Sequence, residues 1–191
     1  MKISLIYDSS DPQAEKIYTA LSPICSASSR NLVSIDVSKE TLNSCIGCFG
    51  CWTRTPGVCV FTQDSGTSFL KKVFDGDFTV FISSIKWGTY SQSVKSYADR
   101  LLPLLHPYFV KRNGEMHHQL RYGKMPALLA IGCGARSVEE ESTFVSYTNA
   151  HRDNMASKIE QGTFIWKSGD EQKGRISAAS CAEWLSKEIS R

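Results

Sequence analysis

The stretch FTVFISSIKWGTYS, residues 78–91, decides the fold. Its first part, Phe78–Ile85, is rich in Phe, Val and Ile and lacks polar alternation, as a parallel strand buried on both faces should. Beyond it Val94, Tyr97, Ala98, Leu101, Leu102 and Leu105 recur at helical spacing, until Pro103 and Pro107 break the pattern. A buried strand therefore runs into a loop and then an amphipathic helix, which is half of a βαβ unit.

The same unit repeats outward in both directions. Towards the N-terminus, Ile3–Tyr7 reads as a strand, and Ala14, Ile17, Tyr18 and Leu21 share one helical face. Leu32–Val37 is a second strand. Asp64 is placed to cap a helix presenting Phe69, Leu70, Val73 and Phe74. Towards the C-terminus come a strand at Ala127–Ile131, a helix over Val138–Ile159, a strand at Gly162–Trp166 and a helix at Ile176–Ile189. Strand and helix alternate five times, which predicts an α/β domain over residues 1–191. Its sheet is parallel, with helices on both faces and right-handed crossovers. Two inserts interrupt the alternation: Ser38–Gln63, rich in cysteine, and Pro107–Met125, holding two of the four histidines.

Composition narrows the function classes. The 191 residues are 41% hydrophobic and 21% charged, with a formal net charge of +3. So small and dispersed a charge argues against nucleic acid or an anionic membrane as partner. No apolar run approaches the ~20 residues of a membrane span. The apolar start, Met1–Tyr7, is short for a signal-peptide core and no small-residue cleavage site follows, so a cytoplasmic location is expected. In that compartment the seven cysteines are not expected to form structural disulfides.

Parallel sheets bind ligands beyond the carboxyl ends of their strands. Three loops leave from such ends. Asp8-Ser9-Ser10-Asp11-Pro12 leads into the first helix, whose N-terminal amides and positive dipole end suit a phosphate, with Ser9 and Ser10 as hydroxyl donors. Ser83–Ser91 offers the aromatic faces of Trp87 and Tyr90, and Gly88, where a flat ring can approach the backbone. Gly132-Cys133-Gly134-Ala135-Arg136 places two glycines at a third strand end.

The run Trp87-Gly88-Thr89-Tyr90-Ser91, followed by Lys95 and Asp99-Arg100, resembles the flavin loop of NADPH-dependent FMN reductases and iron–sulfur flavoproteins. The resemblance covers roughly Met1 to Ile131 and is most specific over Cys45–Tyr90. It implies a flavodoxin-like three-layer sandwich with a five-stranded parallel sheet, FMN, and NAD(P)H as electron donor. It places the phosphate on Ser9 and Ser10, the ring along Ser84, Ile85, Lys86, Trp87, Gly88, Thr89 and Tyr90, and Gly132, Cys133 and Gly134 over it. It also implies a homodimer or homotetramer, and the Leu101–Val110 segment, dense in Leu, Tyr and Phe, and the aromatic cysteine loop read as contact surfaces.

Two departures stand out. Where the family's phosphate loop reads Gly-Ser-Pro-Arg, this chain has Asp8 and Asp11, which either face the phosphate or turn away to cap the helix. Lys86 stands where a tyrosine is usual.

The cysteine loop runs Cys45-x2-Cys48-x2-Cys51-x7-Cys59. Two-residue gaps let thiolates converge, and such a run with a fourth cysteine is a [4Fe–4S] pattern. The iron–sulfur flavoproteins carry a compact motif of this kind in the same position. Three readings stand side by side: a cluster on Cys45, Cys48, Cys51 and Cys59; zinc on the same thiols; or a cluster-free loop kept for its shape, with Cys48 or Cys51 redox-active. Cys133, Cys25 and Cys181 read as packing thiols, and the four histidines as surface or satisfied core residues. No nucleophile–base pair suggests hydrolysis. The expected activity is an FMN-dependent oxidoreductase passing electrons to a quinone, a nitro compound or a carrier protein. The flavin, rather than a catalytic side chain, carries the chemistry. The alternatives are an electron-transfer flavoprotein with FMN and a cluster, and a binding module that has lost FMN.

Overall fold

The computed structural model describes residues 2–28, 31–157, 162–167 and Lys187. Five strands form a parallel sheet: β1 (Lys2–Tyr7), β2 (Asn31–Asp36), β3 (Phe78–Lys86), β7 (Ala127–Cys133) and β8 (Thr163–Trp166). Their order is β2-β1-β3-β7-β8. The order reverses between β1 and β3, so the crossovers on either side run to opposite faces and a crevice opens at their carboxyl ends.

The centre of the sheet is apolar on both sides because both sides are covered. Val80 and Ile82 of β3 pack with Ile3, Leu5, Leu129 and Ile131 against Ala14, Ile17, Leu21 and Cys25 of α1 (Pro12–Ser28). The alternate residues Phe81 and Ile85 face the other way. They meet Phe69 and Val73 of α3 (Gly66–Phe74), Val94 and Tyr97 of α4 (Gln92–Asp99) and Phe144 of α5 (Val138–Asn154). Each such fully buried side chain contributes roughly 1.5–3 kcal/mol. No helix among the described residues is long and apolar enough to cross a membrane.

Several elements differ from the sequence reading. The helical stripe ends early: α4 stops at Asp99, a 3-10 turn at Leu102–Leu104 follows, and Leu105 opens a strand. Pro103, inside that turn, removes an amide that a continuing helix would need. The second insert is a hairpin of β5 (Leu105–Arg112) and β6 (Glu115–Leu120), turned at Asn113 and Gly114, whose φ angles are 50° and 89°. Two positive φ values in sequence make the mirror-image turn that suits a twisted hairpin. The cysteine insert is irregular apart from the one-turn helix α2 (Gly50–Thr53). A further short strand, β4 (Thr89–Tyr90), pairs antiparallel with the end of β3. The expected helix at Ile176–Ile189 lies outside the described residues.

An ion pair fixes the cysteine insert to the end of α4. Arg100 Nη1 and Nη2 donate to Asp64 Oδ2 and Oδ1 at 2.6 and 3.0 Å, and both side chains are only 1% exposed. Arg100 also donates to the carbonyls of Asn43 and Phe61 at 2.8 and 3.2 Å. Asp64 in turn accepts from the amides of Asn43 and Gly66, each at 2.9 Å. Burial disfavours its charge, but the Arg100 guanidinium and these amides outweigh that and hold its carboxyl well below the usual range.

Candidate functional site

The three predicted loops meet in one open, polar cleft of about 540 Å³ at the carboxyl ends of β1, β3 and β7. One wall comes from the start of α1 and the residues before it: Asp8, Ser10, Asp11 and Gln13. The other comes from Ser84, Lys86, Ser91 and Gly134.

The second wall is held by Ser83, which sequence reasoning did not single out. Its hydroxyl accepts from the Ser91 amide at 2.8 Å and donates to the Ser84 carbonyl at 2.8 Å. The start of α4 is thereby tied to the end of β3. Between them, Trp87 and Gly88 turn the chain with φ of 55° and 73°. A left-handed tryptophan is uncommon and strained, and such strain clusters at functional sites. The indole is 81% exposed, and the Arg136 guanidinium carbon lies 5.6 Å from its ring centroid. At Gly88 a Cβ would come within 2.4 Å of Thr143 Cγ2, so this glycine serves both turn and helix packing.

The predicted site residues divide into three groups. Ser10, Ser84, Lys86 and Gly134 line the cleft. Ser9 turns to the end of β2, its amide donating to Asp36 Oδ1 at 3.1 Å and its hydroxyl lying 3.0 Å from that of Ser38. Ile85, Tyr90 and Cys133 are buried in the core, and Gly132 is small for packing, since a Cβ there would meet Phe144 Cε1 at 2.6 Å. The Thr89 hydroxyl donates within its own turn. Of the segment from Ser84 to Tyr90, the side chains of Ser84 and Lys86 line the cleft, while those of Ile85 and Tyr90 are buried. In a pleated strand alternate residues face opposite ways, and Ile85 and Tyr90 belong to the core face. Burial pushes the Cys133 thiol up to about 12, so it stays protonated.

No protein-family model matches the sequence. No curated protein matches it either. Solved structures do match in shape. An FMN-dependent NADH-azoreductase from Bacillus anthracis, solved with FMN, superposes with a TM-score of 0.67 at 12% identity, over 100% of this chain and 99% of that one. An NAD(P)H:quinone oxidoreductase from Methanothermobacter marburgensis gives 0.64 at 10% identity, over 99% and 98%. An NADH:FMN oxidoreductase in its apo form gives 0.62 at 14%, over 98% and 87%.

The fold is flavodoxin-like.

Flavodoxin-like sheets of this strand order hold FMN at the switch point, which here is the cleft between β1 and β3. The two ends of that cleft fit the cofactor differently. On the β3 side, Ser84 offers a hydroxyl and Lys86 a cation to the cleft, groups that a flavin ring can accept. The phosphate end does not suit a dianion. Asp11 caps α1, its Oδ1 accepting from the amides of Gln13 and Ala14 at 2.9 and 3.3 Å. Asp8 Oδ1 accepts from the Ser10 amide at 2.9 Å and also from its hydroxyl, while Asp8 Oδ2 accepts from Ser93 Oγ at 2.6 Å. The helix-start donors that cradle phosphate elsewhere are bonded to the protein's own carboxylates.

The residues lining this cleft include none from the cysteine loop. All six described cysteines are free; Cys51 is buried, Cys48 exposed, and Cys45 and Cys59 are between. Among the described residues no three His, Cys, Asp or Glu side chains converge on a metal position. That arrangement lends no support to the cluster and zinc readings of Cys45, Cys48, Cys51 and Cys59. The physical reason is local: Phe49 adopts a left-handed φ of 54° and starts the α2 turn, which buries Cys51 and leaves Cys48 outside. Burial, together with neighbouring Cys59, Cys45 and Cys48, raises the Cys51 pKa, so this thiol favours its protonated form. The loop's aromatics have a structural role. Phe49 stacks on Trp52, Trp52 lies tilted against His118 and His118 against Phe109, at centroid distances of 5.1, 4.6 and 4.8 Å, and this row reaches from the loop to the β5–β6 hairpin.

A second groove, also about 540 Å³, runs between this loop, α4 and α5, lined by Cys45, Lys95, Asp99, His118, Tyr147 and His151 among others. Burial pushes the His151 pKa down to about 4, against the opposing pull of Asp99, and Lys95 and Arg152 add to the drop. Burial also raises the Tyr147 pKa far above neutral, with Asp99 adding to the rise. Near neutral pH both rings are uncharged, and neither is tuned for proton transfer.

Proposed function

We propose that this chain is a flavin-dependent oxidoreductase that takes electrons from NAD(P)H and delivers them, by way of FMN or a closely related flavin, to a quinone, a nitro compound or an electron-carrier protein. The observation that carries this reading is the cleft: polar, roomy, at the switch point, and built from the loops the sequence singled out. The likeness in fold to reductases named for FMN and NAD(P)H agrees with it.

When bound, a flavin supplies the two-electron acceptor and donor that no side chain here provides. The protein's part is placement and charge. Lys86 sets a positive charge on the cleft wall, which favours an electron-rich ring. Ser83 fixes the wall through the Ser91 amide, and the Trp87–Gly88 turn shapes the mouth. A cytoplasmic setting and self-association belong to the same proposal. Two apolar surfaces support association: the exposed Tyr108, Phe109 and Met116 of the hairpin, and Ile46 and Phe49 of the cysteine loop.

One observation favours a second reading, a flavodoxin-like binding module that has given up its cofactor: Asp8 and Asp11 occupy the phosphate end. Anaerobic titration separates the two. The oxidoreductase reading expects protein-bound flavin to bleach on adding NADH or NADPH and to recolour with a quinone. A protein that takes up no flavin supports the module, and bound flavin that neither nicotinamide bleaches removes the reductase.

A further inference from the structure

The carboxylates at the phosphate end narrow the ligand, an inference that rests on the flavin reading above. We infer that the cleft selects a flavin without a terminal phosphate, riboflavin in its simplest form, over FMN.

Every amide from Ser9 to Ala14 is accounted for within the protein. Ser9 donates to Asp36 Oδ1, Ser10 to Asp8 Oδ1, Asp11 to the Asp8 carbonyl at 3.1 Å, and Gln13 and Ala14 to Asp11 Oδ1. Pro12 has no amide hydrogen. A phosphate at this helix start therefore finds no main-chain donor, although helix starts are where flavodoxin-like proteins ordinarily hold one. The Ser10 hydroxyl is likewise engaged by Asp8.

Charge points the same way. The walls of the cleft carry two carboxylates, Asp8 and Asp11, against one cation, Lys86. A phosphate of nearly two negative charges is repelled there. A neutral ribityl chain is not, because its hydroxyls are donors and a carboxylate is acceptor-only. Two carboxylates in a half-solvated cleft weaken a dianion's binding by about tenfold or more, on a Coulomb estimate at intermediate dielectric.

The test titrates wild-type protein and the Asp8→Asn/Asp11→Asn double variant with riboflavin and with FMN, following flavin fluorescence. Asn removes the charge and keeps the cap oxygen at residue 11 and one acceptor oxygen at residue 8, with the Ser93 hydroxyl turning to accept from the new amide. Wild type is expected to bind riboflavin at least about tenfold more tightly than FMN. The double variant is expected to gain about tenfold for FMN, with riboflavin changed by less than about threefold. The single Asp8→Asn variant, which leaves the helix cap intact, is expected to give part of the same gain. FMN binding to wild type as tightly as riboflavin, or more tightly, overturns the inference and leaves the flavin reading standing. Uptake of neither flavin by wild type or variants is the distinct outcome that removes the flavin reading, and this inference with it.

Discussion

Arg100 and Asp64 show how one pair of side chains governs an insert. Replacing Arg100 with Met leaves the Asp64 carboxylate buried without its partner. The expected loss is about 3–5 kcal/mol in urea unfolding. An Arg100→Met/Asp64→Leu double variant should recover much of that loss, because the cost lies in the orphaned charge. His151 sets a pH dependence. Its folded pKa of about 4 lies below the unfolded value of about 6.5, so the unfolded chain binds more protons between them. Stability should therefore fall as pH drops from about 6.5 towards about 4. Asp64, held low by Arg100, extends the loss to still lower pH, since its contribution disappears only as that carboxyl protonates. A His151→Phe variant should flatten the first part of this dependence in urea midpoints measured across that range. Asp64 as a helix-start residue was legible from its place before an apolar stripe. Its pairing with Arg100, 36 positions along the chain, was not, because no local pattern encodes a tertiary partner.

The turns carry the sharper lessons about elements. Trp87 sits at a positive φ that costs an L-residue roughly 1–2 kcal/mol, and asparagine tolerates it better. Trp87→Asn should raise unfolding stability by about 1 kcal/mol while weakening flavin binding, the trade expected where strain serves a site. Gly132→Ala should cost about 1–3 kcal/mol by driving a methyl into Phe144 and Ile85. The flavin-like loop was recognisable by its residue string, yet that string did not reveal that it folds as a hairpin with Ile85 and Tyr90 inside. At 113–114, Asn-Gly is a strong hairpin signal. Its flanks, HPYFVKR and EMHHQL, lack clean alternation, and the helical spacing of Leu105 drew the element boundary too far. In the cysteine loop the spacing admitted a metal, but spacing cannot report which thiols the fold buries and which it exposes.

At the scale of the whole molecule, the parallel sheet was the most legible feature. Strands buried on both faces read as unbroken apolar runs, and alternation with helices leaves few topologies. The place of the site followed from that topology, since the crevice lies wherever the strand order reverses. What its walls accept did not follow, because each of Asp8 and Asp11 can either cap a helix or face a ligand, and only the three-dimensional hydrogen bonds show them occupying the donors. The protein thus has a flavodoxin-like fold in which Asp8 and Asp11 engage the donors at the start of α1, and the proposal is that the cleft beside them takes a flavin. Amide hydrogen exchange with and without riboflavin tests that account most directly. It predicts slowed exchange at residues 8–14, 84–91 and 132–136, with residues 45–47 and 147–155 of the second groove unchanged. Protection centred on the second groove, or none at all, would contradict it.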